Sequence, residues 1–384
     1  MSLLHYITYK LVIIRDRRIG VIYYVIAIAV ILYSLAEIFV KKGYLEFDTA
    51  PDATIRFLLS DPKEDNGVDH DKSAQVVNLS YCCYNETASE YCTQCQVMDA
   101  RELSWPVESR TISLTTFSKD RWQTKNMSSG KFGKFETIRE NLYFTVQPEK
   151  MMIKIEHAVL ATKFLTGKLG GKDLAASQRN MKGYLYGHNG TLIKSLSSNK
   201  ENQMRGKADK LTVQEILQAA GVTSLDETSD ALNSKGKPFR RHGIVLHMAI
   251  NYQNAKSTWL GTGDIEYSYQ VRRIPYADYR VNEVIPVIDA MDFTNPSLEH
   301  HQENRLFRKR YGIKIEFHQS GVLGHFSFSA LLGHLASAVS LLTLTATIVD
   351  ILILYILPNK SEYRSLVYKR FPFIEQYEEK EKNE

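Results

Sequence analysis

Ile19 to Val40 reads IGVIYYVIAIAVILYSLAEIFV, an unbroken apolar run with a single formal charge, Glu37, near its end. Crossing ~30 Å of hydrocarbon takes about 20 apolar residues at ~1.5 Å each, and this run is that long. A second run, Phe326 to Leu357 (FSFSALLGHLASAVSLLTLTATIVDILILYIL), carries only Asp350 as a formal charge and stops at Pro358. Both are expected to span a membrane. The first is not a cleaved signal peptide: it lies behind the segment 1–18, exceeds the usual apolar core of ~7–15 residues and lacks a small-residue cleavage site. Lys10, Arg15, Arg17 and Arg18 precede it, and Lys360, Arg364, Lys369 and Arg370 follow the second run. Basic flanks stay on the cytosolic side, so both termini are expected there, with Lys41 and Lys42 weakening the asymmetry. The chain then divides into a cytosolic N-terminus (1–18), a first span (19–40), an extracellular or lumenal domain (41–325), a second span (326–357) and a cytosolic tail (358–384).

The 384 residues include 48 Lys+Arg against 43 Asp+Glu, a net charge of +5. That is too weak an excess for a nucleic-acid-binding specialist, and a mean hydropathy of −0.27 excludes a polytopic membrane protein. There is no His-Glu-x-x-His, no phosphate-loop glycine pattern and no Gly-x-Ser-x-Gly, so neither an enzyme nor a resident cofactor or metal is expected. His157 and His247 lie on strand-like stretches and read as structural histidines.

The four cysteines fall close together, as Cys82, Cys83, Cys92 and Cys95. An oxidising lumen makes this spacing two disulfides, with Cys82 and Cys83 each pairing to Cys92 or Cys95, because bridging neighbours is strained. A four-thiolate zinc site or free thiols are the alternatives. Asn78-Leu-Ser80, Asn85-Glu-Thr87, Asn126-Met-Ser128 and Asn189-Gly-Thr191 are N-glycosylation acceptor triplets, all between the spans.

Period-two alternation recurs at Thr111–Phe117, Ile153–Val159, Ile244–Ile250, Ile265–Val271 and Tyr311–Phe317. It predicts half-buried strands and an antiparallel-rich β body. Thr212-Val-Gln-Glu215 predicts a capped helix through Ala220, ended by Gly221. Polar stretches at Asp61–Lys72 and Leu196–Lys210 read as surface loops.

Several stretches resemble the P2X receptor family of ATP-gated cation channels. Thr8-Tyr9-Lys10 is similar to the family's cytosolic Thr-x-Lys/Arg, and Lys42-Gly43-Tyr44 to its exit from the first span. Ser104-Trp105-Pro106-Val107-Glu108 resembles Trp-Cys-Pro-Val-Glu without the cysteine. Ile155 to Phe164, Val213 to Gly221 with Gly243-Ile-Val, Lys309-Arg-Tyr-Gly-Ile-Lys314 and Ile348-Val-Asp350 continue the resemblance in order. It implies a P2X-like membrane protein with two transmembrane helices flanking a large β-rich ectodomain. It also implies a homotrimer in a plasma or organelle membrane, gated by a nucleotide, with ATP as agonist.

The departures lie in the ligand site. A triphosphate needs several cationic partners, and the family supplies lysines and an arginine, one of which corresponds to Lys309. Where a Lys-x-Lys pair is expected, the chain has Thr54-Ile-Arg56-Phe57, and no Asn-Phe-Arg is found before the last strand, where Ile285–Pro296 is acidic. Lys309, Arg308 and Arg56 are therefore the candidate ligand-binding residues, with Arg308 and Arg310 pointing opposite to Lys309 on a strand. An altered or lost ATP site follows as the expectation. The alternative is a P2X-derived structural or assembly subunit of a larger membrane complex, without ligand gating.

In the second span, positions 329, 333, 336, 340, 343 and 347 fall within an arc of about 80° on a helix turning 100° per residue. Ser329, Gly333 and Ser340 on this arc, and Ser337 just off it, are candidate pore-lining residues. Small residues also permit close helix packing. Asp350, a carboxylate near the inner end, is a functional candidate because such a charge is costly unless hydrated or paired.

Overall fold

The computed structural model describes residues 17–62, 79–83, 93–126, 134–164, 175–177, 180–196, 208–232, 234–254, 264–287 and 304–367. The chain forms two compact units, one from its two ends (residues up to 46 and from 325 onward) and one from Phe47–Gly324.

In the first unit α1 spans Arg17–Phe39. The second apolar run is helical over Phe328–Ile356 and ends in a π-helical turn, Leu352–Ile356. Both helices are long and apolar enough to cross a membrane. They touch along one seam, where Ile19, Val349 and Ile353 are buried against Ile26, Leu357 and Tyr363. Most other side chains of α1 are exposed, among them Val21, Tyr24, Val25 and Leu32. An all-round apolar surface of this kind suits lipid contact. Ser327 caps the second helix by accepting a hydrogen bond from the Ala330 N–H at 3.2 Å, and Glu37 pairs with Lys41 at 2.5 Å.

The second unit is β-rich. Its strands are β1 Leu45–Asp48, β2 Asp52–Ser60, β3 Gln94–Gln96, β4 Thr111–Asn126, β5 Lys134–Thr145, β6 Met152–Leu160, β7 Ala175–Ser177, β8 Lys182–Tyr186, β9 Leu192–Ser195, β10 Asp209–Thr212, β11 Ile244–Gln253, β12 Glu266–Arg273, β13 Arg280–Pro286 and β14 Asn304–Phe326. A large sheet runs β3-β5-β4-β14-β11-β12-β8-β9 with β13 beside β14, and a smaller one runs β10-β6-β2 with β7 beside β6. Antiparallel pairs dominate as expected, but β11–β14, β12–β8 and β3–β5 are parallel.

β6 alternates buried and open positions as its sequence predicts. Thr111 to Ser118 is instead buried at every residue, because this central stretch of β4 is covered on both faces. Gly312 follows a register shift where β14 meets β4. A Cβ at this glycine would collide with the Leu114 carbonyl oxygen.

The predicted helix forms over Val213–Ala219. Thr212 and Glu215 make the reciprocal capping box, and Gly221, at φ +81°, ends it. It packs Val213, Ile216 and Leu217 into the main core with Ile153, Ile155 and Leu211. The loops predicted at Asp61–Lys72 and Leu196–Lys210 lie largely outside the described residues, and Asp209 and Lys210 belong to β10. Cys82 and Cys95 form a disulfide with Cα atoms 5.4 Å apart, and Cys83 is disulfide-bonded as well. Cys92 lies outside the described residues, as do Asn78 and Asn85.

Candidate functional site

Adjacent strand residues point to opposite faces, so the basic run on β14 divides. On one face Arg308 forks onto Asp120, Nε to Oδ1 at 2.9 Å and NH2 to Oδ2 at 2.8 Å. Ser118 and Tyr143 also donate to this carboxylate, at 2.9 and 3.3 Å. These bonds to Asp120 raise the Arg308 pKa, and burial pushes the Tyr143 phenol up. Two residues on, Arg310 reaches Glu283 at 2.7 Å, the Glu102 carbonyl at 2.8 Å and Thr115 at 3.2 Å. Both guanidinium groups are matched by acids, Arg308 half-buried and Arg310 buried.

Lys309 faces the other way. It stands in register with Asn282 of β13 and Lys119 of β4. Lys119 is held by Glu140 at 2.5 Å, whereas the Lys309 ammonium has no carboxylate partner among the described residues and lies 5.4 Å from the Tyr311 ring centroid. Directly opposed residues of antiparallel strands share a face. Arg280, opposite Tyr311, is therefore on the Lys309 face. Its side chain is 54% exposed and its nearest acid is Asp278, at 3.9 Å. The sequence reading missed Arg280 because it looked for cations before the last strand only over Ile285–Pro296, beyond this residue. The guanidinium of Arg241 lies 4.9 Å from the ring centroid of Phe117, and Phe117 is 5.6 Å from Tyr311. The face thus combines cations with an aromatic floor.

Arg56 lies elsewhere, on the open face of the small sheet, in register with Glu156. Lys154 projects from the same face one step along β6, opposite Leu58. Beside them is a trough of about 620 Å³, lined by small residues of β2, β6 and β7 and bearing one charge, Asp52.

In the second helix Ser329, Gly333, Ser337 and Ser340 are exposed, as are Thr343, Thr347 and Asp350. They lie away from the α1 seam, where Thr345, Val349 and Ile353 are buried. Ser337, Ser340, Thr343 and Thr347 each donate to the carbonyl four residues back, at 2.8, 2.9, 2.9 and 3.1 Å. With its proton held by the helix, each hydroxyl turns lone pairs outward.

Of the two described glycosylation candidates, Asn189 sits on an exposed turn and accepts from the Thr191 hydroxyl at 2.7 Å. Asn126 is half-buried on β4 and donates to Glu136 at 2.9 Å.

Known proteins share this sequence and architecture. The sequence profile described as "ATP P2X receptor" matches residues 243–370. P2X receptor C of Dictyostelium discoideum is 30% identical, over 96% of this chain and 91% of that protein. P2X receptor B of the same organism is also 30% identical, with the same coverage. The crystal structure of the chicken ATP-gated P2X7 receptor channel with the competitive antagonist TNP-ATP superposes with a TM-score of 0.51. It covers 87% of this chain and 99% of that one, at 14% identity.

Proposed function

Because the chain belongs to the P2X receptor family of ATP-gated cation channels, we propose that it forms a trimeric, ligand-gated, cation-selective channel with a rebuilt nucleotide site. One chain brings two apolar helices, too few to enclose an aqueous path, so cyclic assembly of three copies completes the pore. The observation that carries the reading is Lys309, a cation without an acid partner among the described residues, on one face with Arg280. At the junction between neighbouring copies a triphosphate takes this pair from one chain together with Arg56 and Lys154 of the next chain's small sheet. Arg308 stays with the scaffold, its fork engaged by Asp120.

The hydroxyl stripe of the second helix lines the conduction path. Oxygen lone pairs facing outward solvate a passing cation without trapping it, and Asp350 adds a carboxylate at the inner end. Both termini are cytosolic, and the β-rich unit is extracellular or lumenal, where Asn189 carries a glycan.

Whole-cell recording with ATP tests this. Wild-type chain is expected to give an inward cation current, and Lys309→Ala and Arg280→Ala to lower ATP sensitivity at least about tenfold each, since hydrogen bonds to charged groups contribute ~1.5–3 kcal/mol. Silence from verified surface trimers, with co-purification in a larger complex, supports the structural-subunit reading instead.

A further inference from the structure

We propose that a cavity on the open face of β8, β12 and β11 binds a small polyhydroxylated anion of the sugar-acid or sugar-phosphate class. The cavity measures about 540 Å³, within the ~300–1,000 Å³ range of small-molecule sites. It is distinct from the face bearing Lys309 and from the trough beside Arg56. Alternate residues of β12, Ser268, Gln270 and Arg272, form its floor. Asn251 and Gln253 of β11 form one wall, and the turn after β8, with His188, forms the other.

Its hydrogen-bonding capacity is largely unused. Arg272 is exposed and has no acid partner among the described residues. Its neighbour Arg273, on the opposite face, is held by Asp230 at 2.5 Å, and Arg240, Arg308 and Arg310 are likewise matched. The side-chain amides of Gln253 and Gln270 and the Ser268 hydroxyl have no hydrogen-bond partner among the described residues. Asn251 already accepts from Ser320.

Among the described residues no carboxylate lines this cavity, and Glu266, on the same face of β12, stands opposite Lys182. One planar cation with five donors selects a carboxylate or phosphate, which it grips bidentately. Uncharged amides and a hydroxyl, able both to donate and to accept, select a partner with several hydroxyl groups. A bare inorganic anion uses only the arginine, and a neutral sugar uses only the amides. A compound carrying both functions uses the whole lining.

Calorimetric titration of the full-length protein in lipid nanodiscs tests the assignment with four probes: gluconate, glucose 6-phosphate, glucose and inorganic phosphate. The two sugar anions are expected to saturate one site per chain, with glucose and inorganic phosphate at least about tenfold weaker, as loss of a charge-assisted pair or of several neutral bonds requires. Arg272→Gln should bring gluconate down to the affinity of glucose. Gln270→Glu, which places a carboxylate on the floor, should abolish both sugar anions while the thermal midpoint is kept. Asn189→Gln should leave binding unchanged, separating the cavity from any glycan on the adjoining turn. Absence of sugar-anion binding at millimolar concentration, or binding indifferent to Arg272→Gln and Gln270→Glu, overturns the proposal.

Discussion

On one face of β14, the half-buried Arg308 and the buried Arg310 are clamped by Asp120 and Glu283. On the other, Lys309, half-buried over an aromatic floor, has no carboxylate partner among the described residues. Three consecutive basic residues, alike as letters, are thus divided by the period of a strand into two that are paired with acids and one that is not. Charge in the sequence predicts a patch. The partners across the sheet decide whether that patch has anything left to offer.

Substitution tests the division directly, and the largest effect is expected on the closed face. Arg308→Ala leaves Asp120 buried without its counter-charge and should cost about 3 kcal/mol or more, read as a lower thermal midpoint and poor surface expression. Lys309→Ala should change stability by no more than about 0.5 kcal/mol while weakening ATP action. If Arg308→Ala proves harmless and Lys309→Ala unfolds the protein, the division fails.

A second enclosed group sharpens the same contrast. His157 is fully buried between the sheets, accepts or donates at 3.0 Å with Tyr252, and has its Nε2 unpaired, 4.0 Å from Asp209. Burial pushes its pKa down from 6.5 to about 3. Above pH ~6.5 the imidazole is neutral in both folded and unfolded chains, so it makes no pH-dependent contribution there. As pH falls from ~6.5 toward ~3, only the unfolded chain takes the proton, and stability drops by about 1.4 kcal/mol per pH unit. Thermal midpoints measured against pH should show this acid limb, and His157→Gln should flatten it. An unchanged limb assigns the acid sensitivity to other groups.

The second helix offers a milder version of the comparison. Cysteine at Ser340 should react with aqueous thiol reagents in a gating-dependent way and block current, whereas cysteine at Leu342, on the α1 side, should stay inert. Equal labelling of the two means that the stripe only packs against neighbouring helices. Asp350→Asn is expected to have the smallest effect, leaving gating intact and altering conductance or cation preference.

Local signals were legible in the sequence. The apolar runs, the Thr212–Glu215 capping box and the alternation of β6 depend on neighbours within a few residues, and all three appear where their pattern places them. What the sequence concealed is register. The Arg308–Asp120 fork joins residues 188 positions apart, and nothing near either one announces it. The same applies to Arg280: only its pairing with Tyr311 puts it beside Lys309, so a search confined to Ile285–Pro296 passes it by. Parallel pairing of β11 with β14 leaves the same alternation as antiparallel pairing, so the mixed sheet carries no local signature. The full burial of Thr111–Ser118 likewise comes from layers supplied by distant segments.

Gly312 gives β14 a mechanical character. Any side chain at that position would strike the Leu114 carbonyl, so sliding β14 along β4 would drive a neighbouring Cβ into the same oxygen. The glycine acts as a detent that holds the two strands at one setting. β14 continues from Lys309 through Phe326 and, after Ser327, into the second apolar helix. Within the sheet, β14 is therefore pinned against β4 at the bulge, like a rod notched at one point along its length.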